Sequence, residues 1–244
     1  GNAPGARGLS GRVAYLPSGG SIIIKKAPAE VMYPAMFAQT FHFNSAGVTL
    51  LWRKNTQGHW AFEVPVLALD DGNVRLHAKV SGLLQAHKRP IIKLNAAFSL
   101  KNTALIKNYL PKKGISTHLY GWLANAFPAG SAKNGRLMLS GNLQDFPFKK
   151  GDGLFDVHAT VHGIQLHYQD LWPDVYNIGG LLDFKGQGMS IRANSGDIMG
   201  VTLHNLTGTI KDLHQGGIDI HGDVQGDLSQ GLQFLEATPL SVGK

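Results

Sequence analysis

The stretch Leu154-Phe155-Asp156-Val157-His158-Ala159-Thr160-Val161-His162 decides the fold class. Phe155, Val157, Ala159 and Val161 fall on one side of an extended chain, and Asp156, His158, Thr160 and His162 on the other. A period of two belongs to a strand with one dry and one wet face, as antiparallel sheets produce. Parallel α/β sheets show continuous apolar runs separated by amphipathic helices instead. The same alternation recurs from Val74 to Val80, from Ile92 to Leu100, and in Ile164–Tyr168, Met189–Ala193 and Ile218–His221. Turn residues punctuate the strands at Asp70-Asp71-Gly72, Gly151-Asp152-Gly153, Lys185-Gly186-Gln187-Gly188 and Gln215-Gly216-Gly217. Alternating runs separated by such turns read as a long meander.

One segment breaks this cadence. Between Thr103 and Phe127 the spacing of Leu105, Ile106, Tyr109 and Leu110, then of Leu119, Trp122, Leu123 and Ala126, fits two short helices interrupted at Pro111 and Gly114. The chain also says nearly the same thing twice. An aromatic-Pro step at Tyr33-Pro34 and another at Trp172-Pro173 each lead into alternating sequence. An Asp-bearing turn follows in each copy, at Asp70-Asp71-Gly72 and at Lys211-Asp212. Pro cannot donate to a ladder, so Trp172-Pro173 and the Phe146-Pro147-Phe148 step are expected to end strands or form a lip element. The expected organisation is a Gly/Pro-rich linker (1–10), a first β-unit (11–100), a helical insert (101–130) and a second β-unit (131–244). Residues before Gly11 read as a boundary, with an anchoring or targeting segment expected upstream.

At 244 residues the chain can bury a substantial core. With 31 Gly, 16% charged residues and 43% hydrophobic residues in short runs, the composition is that of strands and turns. There is no Cys, which excludes disulfides, zinc thiolates and a thiol nucleophile. The net charge of +7 comes as scattered pairs: Lys25-Lys26, Arg53-Lys54, Lys88-Arg89, Lys112-Lys113 and Lys149-Lys150. Scattered pairs without interleaved aromatics read as a solvated rim able to attract anionic headgroups, not as a nucleic-acid footprint. The histidines sit mostly on the wet side of the alternation. His158 and His162 share a face but lie about 13 Å apart along an extended strand, too far to hold one metal ion. Asp70, Asp71, Asp152, Asp170 and Asp174 could form an acid/base pair, yet their turn positions are explained by backbone needs. The sequence holds no His-Glu-x-x-His, Gly-x-Ser-x-Gly or P-loop. No metal, cofactor or catalytic residue is expected.

Several motifs taken together are more specific: Tyr109-Leu110-Pro111, Trp122-Leu123, the run Gly135-Arg136-Leu137-Met138-Leu139-Ser140-Gly141-Asn142-Leu143-Gln144-Asp145-Phe146-Pro147-Phe148, then Gly153-Leu154-Phe155, Tyr168-Gln169-Asp170-Leu171-Trp172-Pro173, Thr209-Ile210-Lys211-Asp212-Leu213 and Thr238-Pro239-Leu240. In order and content they resemble the YhdP branch of the AsmA-like proteins, relatives of TamB. The first unit matches more loosely, as a preceding copy.

The resemblance implies an internal piece of a large Gram-negative envelope protein, held in the inner membrane by an N-terminal helix and crossing the periplasm. It implies a repeating β-groove of the bridge-like lipid transfer kind: a long, twisted, curved antiparallel sheet in two related units with a short helical insert. Phospholipid acyl chains would travel along it between inner and outer membrane. The implied partners are those acyl chains, the rest of the same polypeptide and components of the two membranes. No catalytic residues carry over.

The alternation assigns Phe155, Val157, Val161, Ile164, Leu166, Met189, Ile191, Val201, Leu203, Ile218 and Ile220 as groove lining in the second unit. In the first unit it assigns Val74, Leu76, Val80, Ile92, Leu94 and Phe98. An open trough is expected to keep its fold when Val157 or Ile191 is replaced by Asp. The competing reading is a structural or adhesive envelope module that binds partner proteins along its sheet edges.

Overall fold

The computed structural model describes residues 3–85, 90–113, 115–148, 150–213, 217–225, 229, 233 and 236. Lys88-Arg89, Gly114, Lys149, Gln215-Gly216 and Thr238-Pro239-Leu240 lie outside the described residues. The protein is all-β. Its strands are β1 (Gly5–Arg7), β2 (Gly11–Leu16), β3 (Gly19–Met32), β4 (Thr40–Lys54), β5 (Trp60–Asp70), β6 (Val74–Leu84), β7 (Ile91–Leu100), β8 (Ala129–Asn142), β9 (Leu154–Leu166), β10 (Val175–Lys185), β11 (Gly188–Ile198), β12 (Val201–Ile210) and β13 (Asp219–Gln225). These thirteen form one antiparallel sheet. From β3 onward each strand pairs with its successor in sequence, and β1 and β2 lie end to end along the remaining edge of β3. Among the described residues no pairing joins β13 back to β1 or β2, so the sheet is open.

Several strands are far longer than the usual five or six residues, with β4 reaching 15. Bulges interrupt such runs, with register breaks between Ile24 and Ala29 in β3 and between Thr49 and Leu51 in β4. In β10 and β12 the breaks fall around Asn177 and Asn205, whose φ values of 55° and 51° are left-handed. Asn tolerates that region better than most residues, and each side chain here gains a partner. The Asn177 amide donates to Asp197 Oδ2 at 2.8 Å, and the Asn205 amide to Asp223 Oδ2 at 2.7 Å.

The expected helical insert is present. A 3₁₀ stretch covers Thr103–Asn108, with the Asn102 side chain accepting from the Ala104 N–H. Helix α1 covers Thr117–Asn125, where the Ser116 hydroxyl accepts from the Leu119 N–H at its start. No helix among the described residues is long and apolar enough to cross a membrane.

The chain divides into two compact units. One comprises Gly1–Leu100, Pro111–Ile115 and Asn134–Val157; the other comprises Lys101–Leu110, Ser116–Lys133 and His158–Lys244. Their interiors differ. In the first unit the buried apolar residues are Ala29, Ala46, Ala68, Ala78, Leu100 and Phe148. The second unit buries Leu119, Phe127, Val161, Ile164, Leu166, Val175, Ile178, Leu182, Met189, Ile191, Ile198, Val201, Leu206 and Ile210 among others, which makes an ordinary core. Part of its cover is tied down from α1. The Trp122 indole N–H donates to the Tyr168 carbonyl at 3.2 Å, and the His167 N–H to the Ala126 carbonyl at 2.9 Å.

Candidate functional site

In an antiparallel pair, residues directly opposite each other share a face. Following register across the first unit gives four lateral rows on one face. They are Tyr15–Gly20–Trp52–Phe62–Gly82–Ile92, Gly11–Ile24–Val48–Leu67–Ala78–Ala96, Ala27–Ala46–Leu69–Leu76–Phe98, and Val74–Leu100. Val13, Ile22 and Leu50 continue the face on one side of the β4–β5 bulge, and Val64, Val80 and Leu94 on the other. Every residue is apolar. In a sheet-on-sheet sandwich the large side chains of such a face sink into a core about 10 Å thick. Here Ile22, Ile24, Val48, Leu50, Trp52, Phe62, Leu67, Leu76, Val80, Leu94 and Phe98 are only half-buried, and Val13 and Tyr15 are 71% and 72% exposed. The face is dry in composition, and apart from Ala46, Ala78 and Leu100, which are buried, its side chains keep some access to solvent.

Its surface is also flattened. The Trp52 ring lies across Gly20, where a Cβ would stand 2.4 Å from Cζ2, and the Phe62 ring lies across Gly82, where a Cβ would stand 2.4 Å from Cε1. Phe98 covers Gly135 and Phe148 covers Gly153 in the same way. An aromatic ring beside a glycine can lie down on the sheet, shielding the backbone while presenting its flat side upward. The result is a low apolar floor.

All six first-unit residues singled out by alternation, Val74, Leu76, Val80, Ile92, Leu94 and Phe98, lie on this face and are half-buried. Phe155 and Val157, at the start of β9, are half-buried as well. Phe155 meets Phe146 edge-on at 5.0 Å, and Phe146 meets Phe148 at 5.9 Å. The Phe146-Pro147-Phe148 step follows β8 and packs an aromatic cluster onto glycines 141 and 153.

The second unit distributes its assigned residues differently. Val161, Ile164, Leu166, Met189, Ile191 and Val201 are buried, Val161 and Ile191 to 1% exposure. Leu203, Ile218 and Ile220 instead border a cavity of about 510 Å³, together with Tyr168, Trp172, Val175, Ile198 and Leu206. Trp172-Pro173 stands just before β10, with its ring 6.1 Å from Tyr168. A second cavity of about 600 Å³ shares Tyr168, Gln169, Gly217 and Ile218 and extends under α1 to Trp122, His118, His167 and Asp170. Alternation did not single out Tyr168, Trp52 or Phe62. Glycines interrupting an apolar stripe opposite an aromatic on the next strand are the signal for the last two.

Of the candidate carboxylates, Asp70, Asp71, Asp170 and Asp174 are occupied with structure. Asp70 Oδ1 accepts from the Gly72 N–H and Oδ2 from Arg75 Nε, while Asp71 Oδ1 accepts from the N–H groups of Asn73 and Val74. His167 Nδ1 lies 2.7 Å from Asp174 Oδ1, and Nε2 lies 3.4 Å from Asp170. Gln165 donates to the other Asp174 oxygen at 2.6 Å. The Asp174 hydrogen bond holds the His167 pKa above its usual value, against burial, with Asp170 adding to the rise. Burial, aided by the Asp174 charge, pushes the Tyr168 hydroxyl up to about 12. On the wet face His158 pairs with Asp183, which also receives Arg192. Among the described residues no group of three His or carboxylate side chains is placed to hold a metal ion.

The described residues thus present an open sheet whose first unit has an apolar face left half-buried. The family model described as YhdP protein matches residues 1–244. The chain belongs to the YhdP family. It is 26% identical over 239 residues to a protein of Escherichia coli (strain K12) named "Intermembrane phospholipid transporter YhdP". That alignment covers 97% of this chain and 19% of the relative, so the chain spans about a fifth of the relative's length. No solved structure matches it.

Proposed function

We propose that this chain is a non-catalytic segment of an envelope lipid conduit, and that its apolar sheet face carries phospholipid acyl chains between inner and outer membrane while the headgroups stay in water. The supporting observation is the first unit's apolar face, whose large side chains are left half-buried. A surface of that extent costs free energy unless something apolar covers it, and each methylene it accepts contributes about 0.8 kcal/mol. Val74, Leu76, Val80, Ile92, Leu94 and Phe98 line the path, with Phe155 and Val157 in the same unit. In the second unit Leu203, Ile218 and Ile220 offer contact beside the Tyr168–Trp172 cavity. Val161, Ile164, Leu166, Met189, Ile191 and Val201 support the sheet beneath it. A smooth apolar floor without directed hydrogen bonds suits chains that must slide. The full protein would reside in the periplasm, anchored in the inner membrane and acting in outer-membrane biogenesis.

These 244 residues hold no Cys, so a cysteine introduced among them is unique within this chain. A single cysteine at Leu94 or Val80, carrying a photoactivatable label, should give lipid adducts in cells, whereas the same label at His77 or Asn95 on the wet face should not. Protein adducts in place of lipid at the apolar sites would favour the edge-binding structural module instead.

A further inference from the structure

One end of the first unit departs from the rule that separates its two faces. Over most of its area the face opposite the apolar one is polar, with rows such as Asp70–Arg75–Ser99. Toward the β2–β3, β4–β5 and β6–β7 connections it turns apolar as well. The row Arg53–Ala61–Leu83–Ile91 closes that end, with Leu16 beside Gly19 in the same line, and Leu51–Glu63–Ser81–Lys93 lies next to it. Leu16 is 66% exposed and Ile91 is 56% exposed, and Leu51 and Leu84 are exposed too. A concavity of about 560 Å³ opens there between Leu51, Leu83, Ile91, Arg53 and Lys93. At this rim, then, exposed aliphatic side chains stand on both faces, mixed on the second with Arg53, Glu63, Ser81 and Lys93.

The charges at the rim are mostly of one sign. Among the described residues there, Arg53, Lys54 and Lys93 are exposed and enter no ion pair, and Glu63 is the one carboxylate lining the concavity. The Lys54 ammonium stands 5.7 Å from the centre of the Trp60 ring. The opposite end of the same strands carries Asp70 and Asp71, with Arg75 already paired to Asp70. A strand end meant for water has no use for exposed Leu and Ile on both faces. Aliphatic tips flanked by Trp, Tyr and basic side chains suit the boundary where acyl chains meet anionic headgroups.

We propose that this rim is a membrane-docking edge: its tips dip into the headgroup layer of a bilayer, Leu16, Leu84 and Ile91 reach the acyl boundary, and Arg53, Lys54 and Lys93 engage anionic phosphates. Most of this surface, Leu16, Arg53, Ile91 and Lys93 included, lies on the face opposite the acyl-carrying one, with Leu84 at the end of the latter. It would seat this part of the sheet against a membrane whatever the face carries.

The test is co-flotation of the 244-residue chain with vesicles of phosphatidylcholine alone or of equimolar phosphatidylcholine and phosphatidylglycerol. Binding should favour the anionic vesicles and weaken with salt. Replacing Arg53, Lys54 and Lys93 by Ser should weaken it about fivefold per charge removed, the equivalent of roughly 1 kcal/mol per basic residue near an anionic surface. L16S/I91S should weaken it further at unchanged charge. Lys25, Lys26 and Lys79, exposed elsewhere on the unit, serve as the control: their replacement by Ser removes the same charge and should cost less than half as much. Equal losses in the control, or no effect of L16S/I91S, would mean nonspecific attraction of a basic protein and overturn the proposal. So would an absence of binding to anionic vesicles. Circular dichroism of each variant confirms that the sheet is intact.

Discussion

Replacing one apolar side chain by aspartate on each unit separates an open face from a sealed core. Ile191 is 1% exposed, and its Cγ2 lies 3.0 Å from where a Cβ on Gly208 would stand. Asp there forfeits the roughly 1.5–3 kcal/mol of burying an aliphatic side chain and places a carboxyl group where no water reaches it, a further cost of about 2 kcal/mol or more. The sum, about 4 kcal/mol or more, is a large part of the 5–15 kcal/mol that typically holds a domain together. I191D is therefore expected to unfold the second unit, contrary to the tolerance that an open trough at that position would allow. Leu94 is half-buried on a face with solvent access, so its Asp keeps water and L94D should cost only about 1 kcal/mol. The same charge should repel an alkyl chain passing over it. Losing contact with even two methylenes weakens lipid binding about tenfold. Urea denaturation in backgrounds that keep only Trp52 and Trp60, or only Trp122 and Trp172, the other pair replaced by Phe, reads the two stabilities separately, and binding of a fluorescent phospholipid reads the face. If L94D were as destabilising as I191D, the first-unit face would be a closed core; if it folded and bound lipid undiminished, the acyl path would run elsewhere.

Two further outcomes follow from the geometry. Gly82→Val would force the Phe62 ring off the sheet, because a Cβ at Gly82 already falls 2.4–2.6 Å from ring carbons and 3.0 Å from Ile92 Cδ1. The expected cost is about 1–3 kcal/mol of stability by denaturation, together with reduced lipid binding, and G82V/F62A should recover part of the binding. His167 titrates above its ordinary value because Asp174 stabilises the imidazolium. Its contribution is thus complete below the ordinary histidine value of 6.5 and declines as pH rises through the higher folded-state value. Melting temperatures should fall across that window in the parent chain and stay flatter in H167Q, while NMR of the ring protons locates the folded-state value directly.

The strands were legible because period two survives any context: Val74–Val80 and Leu154–His162 lie within β6 and β9 as their alternation indicates. The helical insert was legible from Pro111 and the spacing of Leu119, Trp122 and Leu123. What covers each face was not legible. Val80 and Val161 sit in the same kind of stripe, yet the first is half-buried and the second is 1% exposed, because what covers a stripe is set by the fold and leaves no mark on the stripe itself. The internal repeat is likewise only approximate. Two strands, β4 and β5, separate Tyr33-Pro34 from its Asp turn, whereas three, β10 to β12, separate Trp172-Pro173 from Lys211-Asp212. An aromatic laid over a glycine on the neighbouring strand requires the register, which bulges at Asn177 and Asn205 shift by amounts that local sequence does not declare.

The pairing order bears on how such a chain comes to exist. From β3 onward every strand finds its partner immediately upstream. Nothing has to wait for a distant segment: a strand emerging from a ribosome or a translocation channel can zip onto the edge already made, and its own outer edge becomes the template for the next. Contacts close in sequence are formed quickly, and the entropy lost in closing each loop is small, the connection from β7 to β8 that carries the helical insert being the longest to close. The sheet can thus grow in one direction, as a fabric is knitted row by row, and the edge left open at each moment is the place where a chaperone would have to stand guard.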